Sequence, residues 1–247
     1  MAPSLRDITV LLLQARDEPK IIRGEQTCFV ERCGIEEEQL RTVSVHREGI
    51  SRAVLDDADA LMIGGASTYN AYGDYPWMEA LLDVCRAAAE RGLPTFGSCW
   101  GHQILARAFG GTVAHDKGAS ELGGQRIYLT EAGRRDELTS TLPPEFTANT
   151  GHHDRVTALP PEAVEMAFSD SQRHQAFRMK GRPVYGTQFH SELSGDRERE
   201  RLIAYRDYYR DEIGSEEAFA HILASLTNQS PADDLLRTFL ERFVLLC

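Results

Sequence analysis

Cys99 stands in the run Phe96-Gly97-Ser98-Cys99-Trp100-Gly101-His102-Gln103, where a short apolar stretch meets the start of a helical pattern. Small residues two before and two after it allow a turn that would otherwise crowd a β-carbon. The thiol then projects above the end of a strand, the layout of a nucleophile elbow. The N-terminus of the following helix favours the thiolate, the reactive form of cysteine, and leaves the Trp100 N–H free to face a developing oxyanion. A nucleophilic cysteine needs a base and a group that orients the base. Gln188-Phe189-His190-Ser191-Glu192 offers both. In extended chain, positions i and i+2 share a face, so Glu192 can hold one imidazole nitrogen of His190 while the other faces the thiol. Each motif alone has a plainer alternative: strand-to-helix packing for the first, a surface His-x-Glu pair for the second. Together they point to covalent acyl chemistry by a thiol.

The elements that would position these residues follow from the apolar pattern. Residues 8–14 (ITVLLLQ) are apolar without alternation, the mark of a strand covered on both faces. Residues 24–40 carry apolar positions at helical spacing, and 42–46 and 58–65 read as further strands, the latter ending at Gly64-Gly65. A helix is predicted from Pro76 to Gly92, a strand over 93–98 and a helix over 100–111. This β-α alternation predicts an α/β fold: an open, mostly parallel twisted sheet flanked by helices. Beyond 111, short alternating segments predict an antiparallel extension of the sheet, and residues 196–247 return to a helical tail. Residues 1–195 are therefore expected to form the main domain, with 196–247 a helical extension packed on it.

Composition narrows the classes. The 247 residues hold 27 Lys plus Arg against 38 Asp plus Glu, a formal net charge of −11. That balance opposes a nucleic-acid partner, which would draw on basic residues. No apolar run reaches the roughly 20 residues of a membrane helix, and the run near residue 10 is too short for a signal-peptide core. Five scattered cysteines (Cys28, Cys33, Cys85, Cys99 and Cys247) form no C-x-x-C pair, so reduced thiols in a cytoplasm are expected. Only Cys99 has flanking glycines and a matching base; the other four read as structural or surface thiols.

The segment G-S-C-W-G-H-Q resembles the G-x-C-x-G-x-Q nucleophile motif of class I, triad-type glutamine amidotransferases, and F-H-S-E resembles their F-H-P-E motif. Ile63-Gly64-Gly65 stands where that family has its oxyanion loop, and Gly110-Gly111-Thr112-Val113 where it has the exit from the nucleophile helix. Glu121-Leu122-Gly123 and Thr150 to Val156 are similar to segments of the GMP-synthetase-like branch. The resemblance spans roughly residues 5–195 and implies a flavodoxin-like amidotransferase fold. It implies Cys99 as nucleophile, His190 as base and then acid, and Glu192 as the orienting carboxylate. Gly65 and Trp100 would supply oxyanion-hole N–H groups. Gly64, Gln103, Gly151, His152 and His153 would hold a glutamine-like substrate. The implied reaction releases ammonia, passes through a γ-glutamyl thioester and needs no cofactor or metal.

Three departures stand out. Ser191 replaces the usual proline of the His-Glu motif, Ala66 stands where proline is typical after the glycine pair, and His153 stands where the GMP-synthetase branch tends to have glycine. His152, His153 and Asp154, with His174, lack regular metal-ligand spacing. His102 is expected to pack or hydrogen-bond in the first turn of its helix. Tyr69, Tyr72, Tyr75 and Trp77 could wall a pocket or form an ordinary aromatic cluster. No Gly-rich ATP loop is present, so ammonia would pass to a separate, ATP-dependent synthetase chain. The alternatives are a stand-alone γ-glutamyl hydrolase or peptidase with the same triad, and a non-catalytic binding module.

Overall fold

The computed structural model describes residues 4–66 and 68–246; Cys247 lies outside them. The first half alternates strands and helices: β1 (Val10–Ala15), α1 (Pro19–Cys33), β2 (Leu40–Ser44), β3 (Ala60–Ala66), α2 (Met78–Glu90), β4 (Thr95–Ser98) and α3 (Trp100–Ala108). Strands then dominate: β5 (Thr112–His115), β6 (Glu121–Leu129), β7 (Glu145–His152), β8 (Asp154–Ala158), β9 (Ala163–Ser169), β10 (Ala176–Met179) and β11 (Val184–Thr187), with short α4 (Glu131–Arg135) between β6 and β7. The tail is α5 (Gly195–Ala204), α6 (Arg210–Ile213), α7 (Glu216–Ser225) and α8 (Leu235–Phe243).

Nine strands form one sheet in the order β2-β1-β3-β4-β11-β10-β9-β6-β7. The first five run parallel, and β10, β9, β6 and β7 follow antiparallel. The antiparallel extension predicted after residue 111 is thus present, with two differences. β11 is parallel to β4 and forms the seam between the two halves, because the chain returns to the middle of the sheet before entering it. β5 and β8 leave the sheet and pair with each other.

The apolar run of β1 is explained by its two faces. Leu11 and Leu13 enter a core with Leu81, Val84, Ile104 and Leu105 of α2 and α3, while Val10 and Leu12 enter another with Phe29 of α1 and Leu236, Phe239 and Leu240 of α8. α8 therefore covers the sheet face that α1 leaves open. The predicted helix over 24–40 differs from α1 in both bounds. Pro19 starts it in the first turn, where a missing N–H costs nothing. Gly34 stops it at φ 67°, donating to the Val30 carbonyl in a left-handed C-cap.

Candidate active site

β4 ends at Ser98 and α3 begins at Trp100, so Cys99 is the whole turn. Its backbone lies at φ 51°, ψ −101°, a conformation that costs a residue with a β-carbon about 1–3 kcal/mol. Two glycines make room for it. A Cβ on Gly97 would fall 2.5 Å from the carbonyl of Gly101, and one on Gly101 would fall 2.1 Å from the Ile63 carbonyl oxygen. The Cys99 N–H donates to the Thr187 carbonyl at 2.8 Å, tying the elbow to the end of β11.

Thr187 lies opposite Ser98 in the sheet, and the chain leaves β11 as a loop that carries His190 and Glu192. The two side chains meet off the strand: His190 Nδ1 is 2.8 Å from Glu192 Oε1. The Ser98 hydroxyl donates to the other carboxylate oxygen at 2.5 Å, a role that neither sequence motif signals. Burial opposes protonation of His190, but the charges of Glu192, Cys99 and Glu198 outweigh it and hold the imidazolium well above its ordinary range. Burial likewise opposes ionisation of Glu192; His190, Arg201 and the Ser98 hydroxyl outweigh it, and the carboxyl falls to about 2. At neutral pH the pair is imidazolium and carboxylate.

The glycine pair closing β3 is packed against a buried ion pair. Arg16 and Glu25 lie 2.9 Å apart, Gln14 donates to Glu25 at 2.8 Å, and Arg16 also donates to the Ala66 carbonyl. A Cβ on Gly65 would fall 1.8 Å from the Arg16 guanidinium, and one on Gly64 2.9 Å from Glu25 Oε2. The Gly65 N–H donates to Glu25 Oε1 at 3.0 Å. This corrects the expectation drawn from the resemblance: here the Gly65 N–H serves a buried carboxylate that needs donors, not an oxyanion hole. The Trp100 N–H, in the first turn of α3, has no helical acceptor to serve.

Cys99, Trp100 and His190 line a cavity of about 60 Å³ with Gly65, Gln103, Gly151, His152 and His153. Gly64 lies behind this wall, against α1. Gln103 Nε2 donates to the Asp154 carbonyl at 2.7 Å and to Gln188 Oε1 at 3.1 Å, so the side chain braces the wall. His152 is held between the Asp154 carbonyl, 3.0 Å from Nδ1, and Glu121, 3.2 Å from Nε2. His153 Nε2 is 3.0 Å from the Tyr208 hydroxyl. Arg201, Tyr205, Tyr208 and Tyr209 reach the same cavity from the tail, and the Tyr209 hydroxyl donates to the Gly151 carbonyl at 2.8 Å. Local sequence patterns hold no signal for these contacts.

Other residues fall as follows. Tyr69 lines the cavity, while Tyr75 and Trp77 stack at 5.1 Å behind it. His102 packs on Phe177, and burial lowers its pKa to about 3, so it is neutral. His115, His153 and Asp154 each offer one potential ligand atom, all within 4.8 Å of one another, whereas His174 pairs with Glu165 at 2.9 Å. Cys28, Cys33 and Cys85 are buried free thiols; burial pushes Cys28 and Cys85 up to about 12 and Cys33 in the same direction. No helix among the described residues is long and apolar enough to cross a membrane.

Comparison with known proteins agrees with this geometry. The family model "Glutamine amidotransferase class-I" matches residues 30–206. The chain is 30% identical over 148 residues to the glutamine-hydrolysing subunit of GMP synthase from Methanococcoides burtonii, covering 60% of this chain and 71% of that one. It is 34% identical over 139 residues to the protein of the same name from Archaeoglobus fulgidus, covering 56% and 69%. Among solved structures, a glutamine amidotransferase from Thermotoga maritima superposes with a TM-score of 0.72 at 19% identity, over 97% of this chain and 99% of that one. One from Methylobacillus flagellatus gives 0.71 at 21% identity, over 94% of each. At those identities the structures speak for the fold alone, but the family match spans the elbow, the His-Glu loop and the sheet between them, and on that ground the chain belongs to the class I glutamine amidotransferases.

Proposed function

We propose that this enzyme hydrolyses the γ-carboxamide of glutamine through a thioester on Cys99 and releases ammonia for a separate synthetase chain. The observation that carries this is the one-residue elbow at φ 51° facing a histidine whose far nitrogen is held 2.8 Å from a carboxylate. The Cys99 sulfur attacks the carboxamide carbon, the C–N bond breaks as His190 protonates the leaving nitrogen, and ammonia departs. Water then attacks the thioester, His190 takes its proton, the C–S bond breaks and glutamate leaves. The reaction as written draws on no metal or organic cofactor.

The Trp100 N–H is the first oxyanion donor in this scheme. Gly65 becomes the second once its N–H leaves Glu25. Gly64, Gln103 and the Gly151 to His153 segment form the substrate wall. The relatives named as glutamine-hydrolysing GMP synthase subunits support an acceptor reaction on another, ATP-dependent chain. The free thiols of Cys28, Cys33, Cys85 and Cys99 support a cytoplasmic site of action. We read residues 1–195 as the amidotransferase unit and 196–247 as an extension packed on it, since α8 shares the core of α1. The test is ammonia release by the full chain from glutamine and, as a second arm, from γ-glutamyl peptides. Turnover of glutamine that vanishes in Cys99→Ala is expected; turnover of the peptides alone would reassign the substrate, and full activity of the variant would overturn the scheme.

A further inference from the structure

Four buried polar atoms with no hydrogen-bond partner among the described residues meet at one place: His190 Nε2, both carboxylate oxygens of Glu198, and one terminal nitrogen of Arg201. Glu198 comes from the first half of α5, which is capped by the Ser194 side chain. It is 0% exposed, and its carboxylate rests on Gly151, where a Cβ would fall 2.2 Å from Oε1. Oε2 lies 4.0 Å from His190 Nε2 and 4.0 Å from Arg201. The three residues around it, Gly151, His190 and Arg201, line the cavity with Cys99.

A buried carboxylate without donors is costly and persists where some polar species completes it. Orientation of the imidazole does not need Glu198, because Glu192 already holds Nδ1. Nε2 is the nitrogen left to face the reacting atoms. At 4.0 Å from Nε2 the Glu198 oxygen is too distant for a direct hydrogen bond. It is well placed to share one water, which at about 2.8 Å from each atom would subtend an angle of about 90°.

We propose that Glu198 is a positioning residue for the second half of the reaction, holding the hydrolytic water against His190 Nε2 once the thioester has formed. The assignment rests on the glutaminase reading above. One water O–H points to the Glu198 carboxylate and the other to neutral His190. The water oxygen bonds to the thioester carbon as its proton passes to Nε2. The C–S bond then breaks with its electron pair on sulfur, which recovers the proton from the imidazolium. The products are glutamate and the free thiol. Water is no reactant in the first half, so the loss of Glu198 falls on deacylation.

The test is E198Q in the full-length chain, which keeps the shape of the side chain, studied by rapid quench with glutamine. The ammonia burst is expected to stay within about twofold of wild type, while kcat falls about tenfold or more and KM falls with it, as slowed deacylation requires. A larger fraction of the chain should carry the γ-glutamyl thioester on Cys99 in intact-mass spectra. Hydroxylamine, a nucleophile less dependent on base assistance, should restore turnover more in E198Q than in wild type. A raised KM with unchanged kcat would overturn the proposal and place Glu198 on the substrate. A burst and kcat that slow together without added thioester would overturn it as a mere structural effect, as would unchanged kinetics. If wild type itself forms no thioester, the glutaminase reading fails and the assignment falls with it.

Discussion

Held at φ 51°, ψ −101°, Cys99 presents its sulfur to a histidine that is charged because two carboxylates and the sulfur surround it. The electrostatics set a pH signature. Glu192 is lowered from 4.5 to about 2, so its contribution to stability is full above about 4.5 and fades as pH falls through about 2. His190 is raised, so its contribution is full below its ordinary value of 6.5 and is lost only as pH rises through the higher folded value. Glu192→Gln should lower kcat about 10³- to 10⁴-fold by releasing the imidazole. It should also destabilise the fold by about 3–5 kcal/mol at pH 6, by leaving a buried charge unpaired. Urea midpoints of wild type and variant should converge as pH is lowered from about 5 to 2; a constant gap would contradict the pairing. Cys99, His190 and Glu192 are legible in sequence because each sits in a short motif that states its own geometry. Ser98, 94 positions from Glu192, and Glu25, 40 positions from Gly65, are not, because only the sheet brings them together.

Among the elements, close approach of β3, β4 and α3 decides where the nucleophile stands. Gly101 lets α3 touch the Ile63 carbonyl, whereas Gly24, inside α1, has open space within 4 Å of the position a Cβ would take. Gly101→Ala should push α3 off β3, costing about 1–3 kcal/mol by overpacking and about 10²-fold in kcat by displacing Cys99. Gly24→Ala should leave kcat unchanged and raise stability by about 0.5–1 kcal/mol through helix propensity. Thermal unfolding and steady-state assays of the two variants check both; equal behaviour would show that helix packing does not set the elbow. Element type is readable here from periodicity. Bounds are less so, since the Pro19 start and Gly34 stop of α1 lie outside the apolar repeat that marks the helix. The role of the Gly65 N–H is hidden for a different reason: it depends on the buried Arg16–Glu25 pair, and a glycine pair at a strand end is silent about what packs beneath it.

Across the whole molecule, the tail does two separate jobs. α8 completes one face of the sheet, with Phe239 fully buried at 5.5 Å from the Phe96 ring and 5.9 Å from the Tyr185 ring. Phe239→Ala should cost about 3–5 kcal/mol, seen as a lowered urea midpoint with little change in kcat for the folded fraction; a loss below about 1 kcal/mol would show that α8 is dispensable to the core. The stretch from α5 to α6 instead reaches the cavity through Arg201, Tyr205, Tyr208 and Tyr209. Helical pattern foretells a tail but not that division, since an amphipathic repeat records that a helix has a buried face and not which surface buries it. The central claim, a covalent intermediate on Cys99, is met most directly by acid-quenching the enzyme during glutamine turnover and mapping the adduct by peptide mass spectrometry. A γ-glutamyl group on the peptide that contains Cys99, absent from Cys99→Ala, is the expected result; ammonia release with no adduct on that peptide under any quench condition would contradict it.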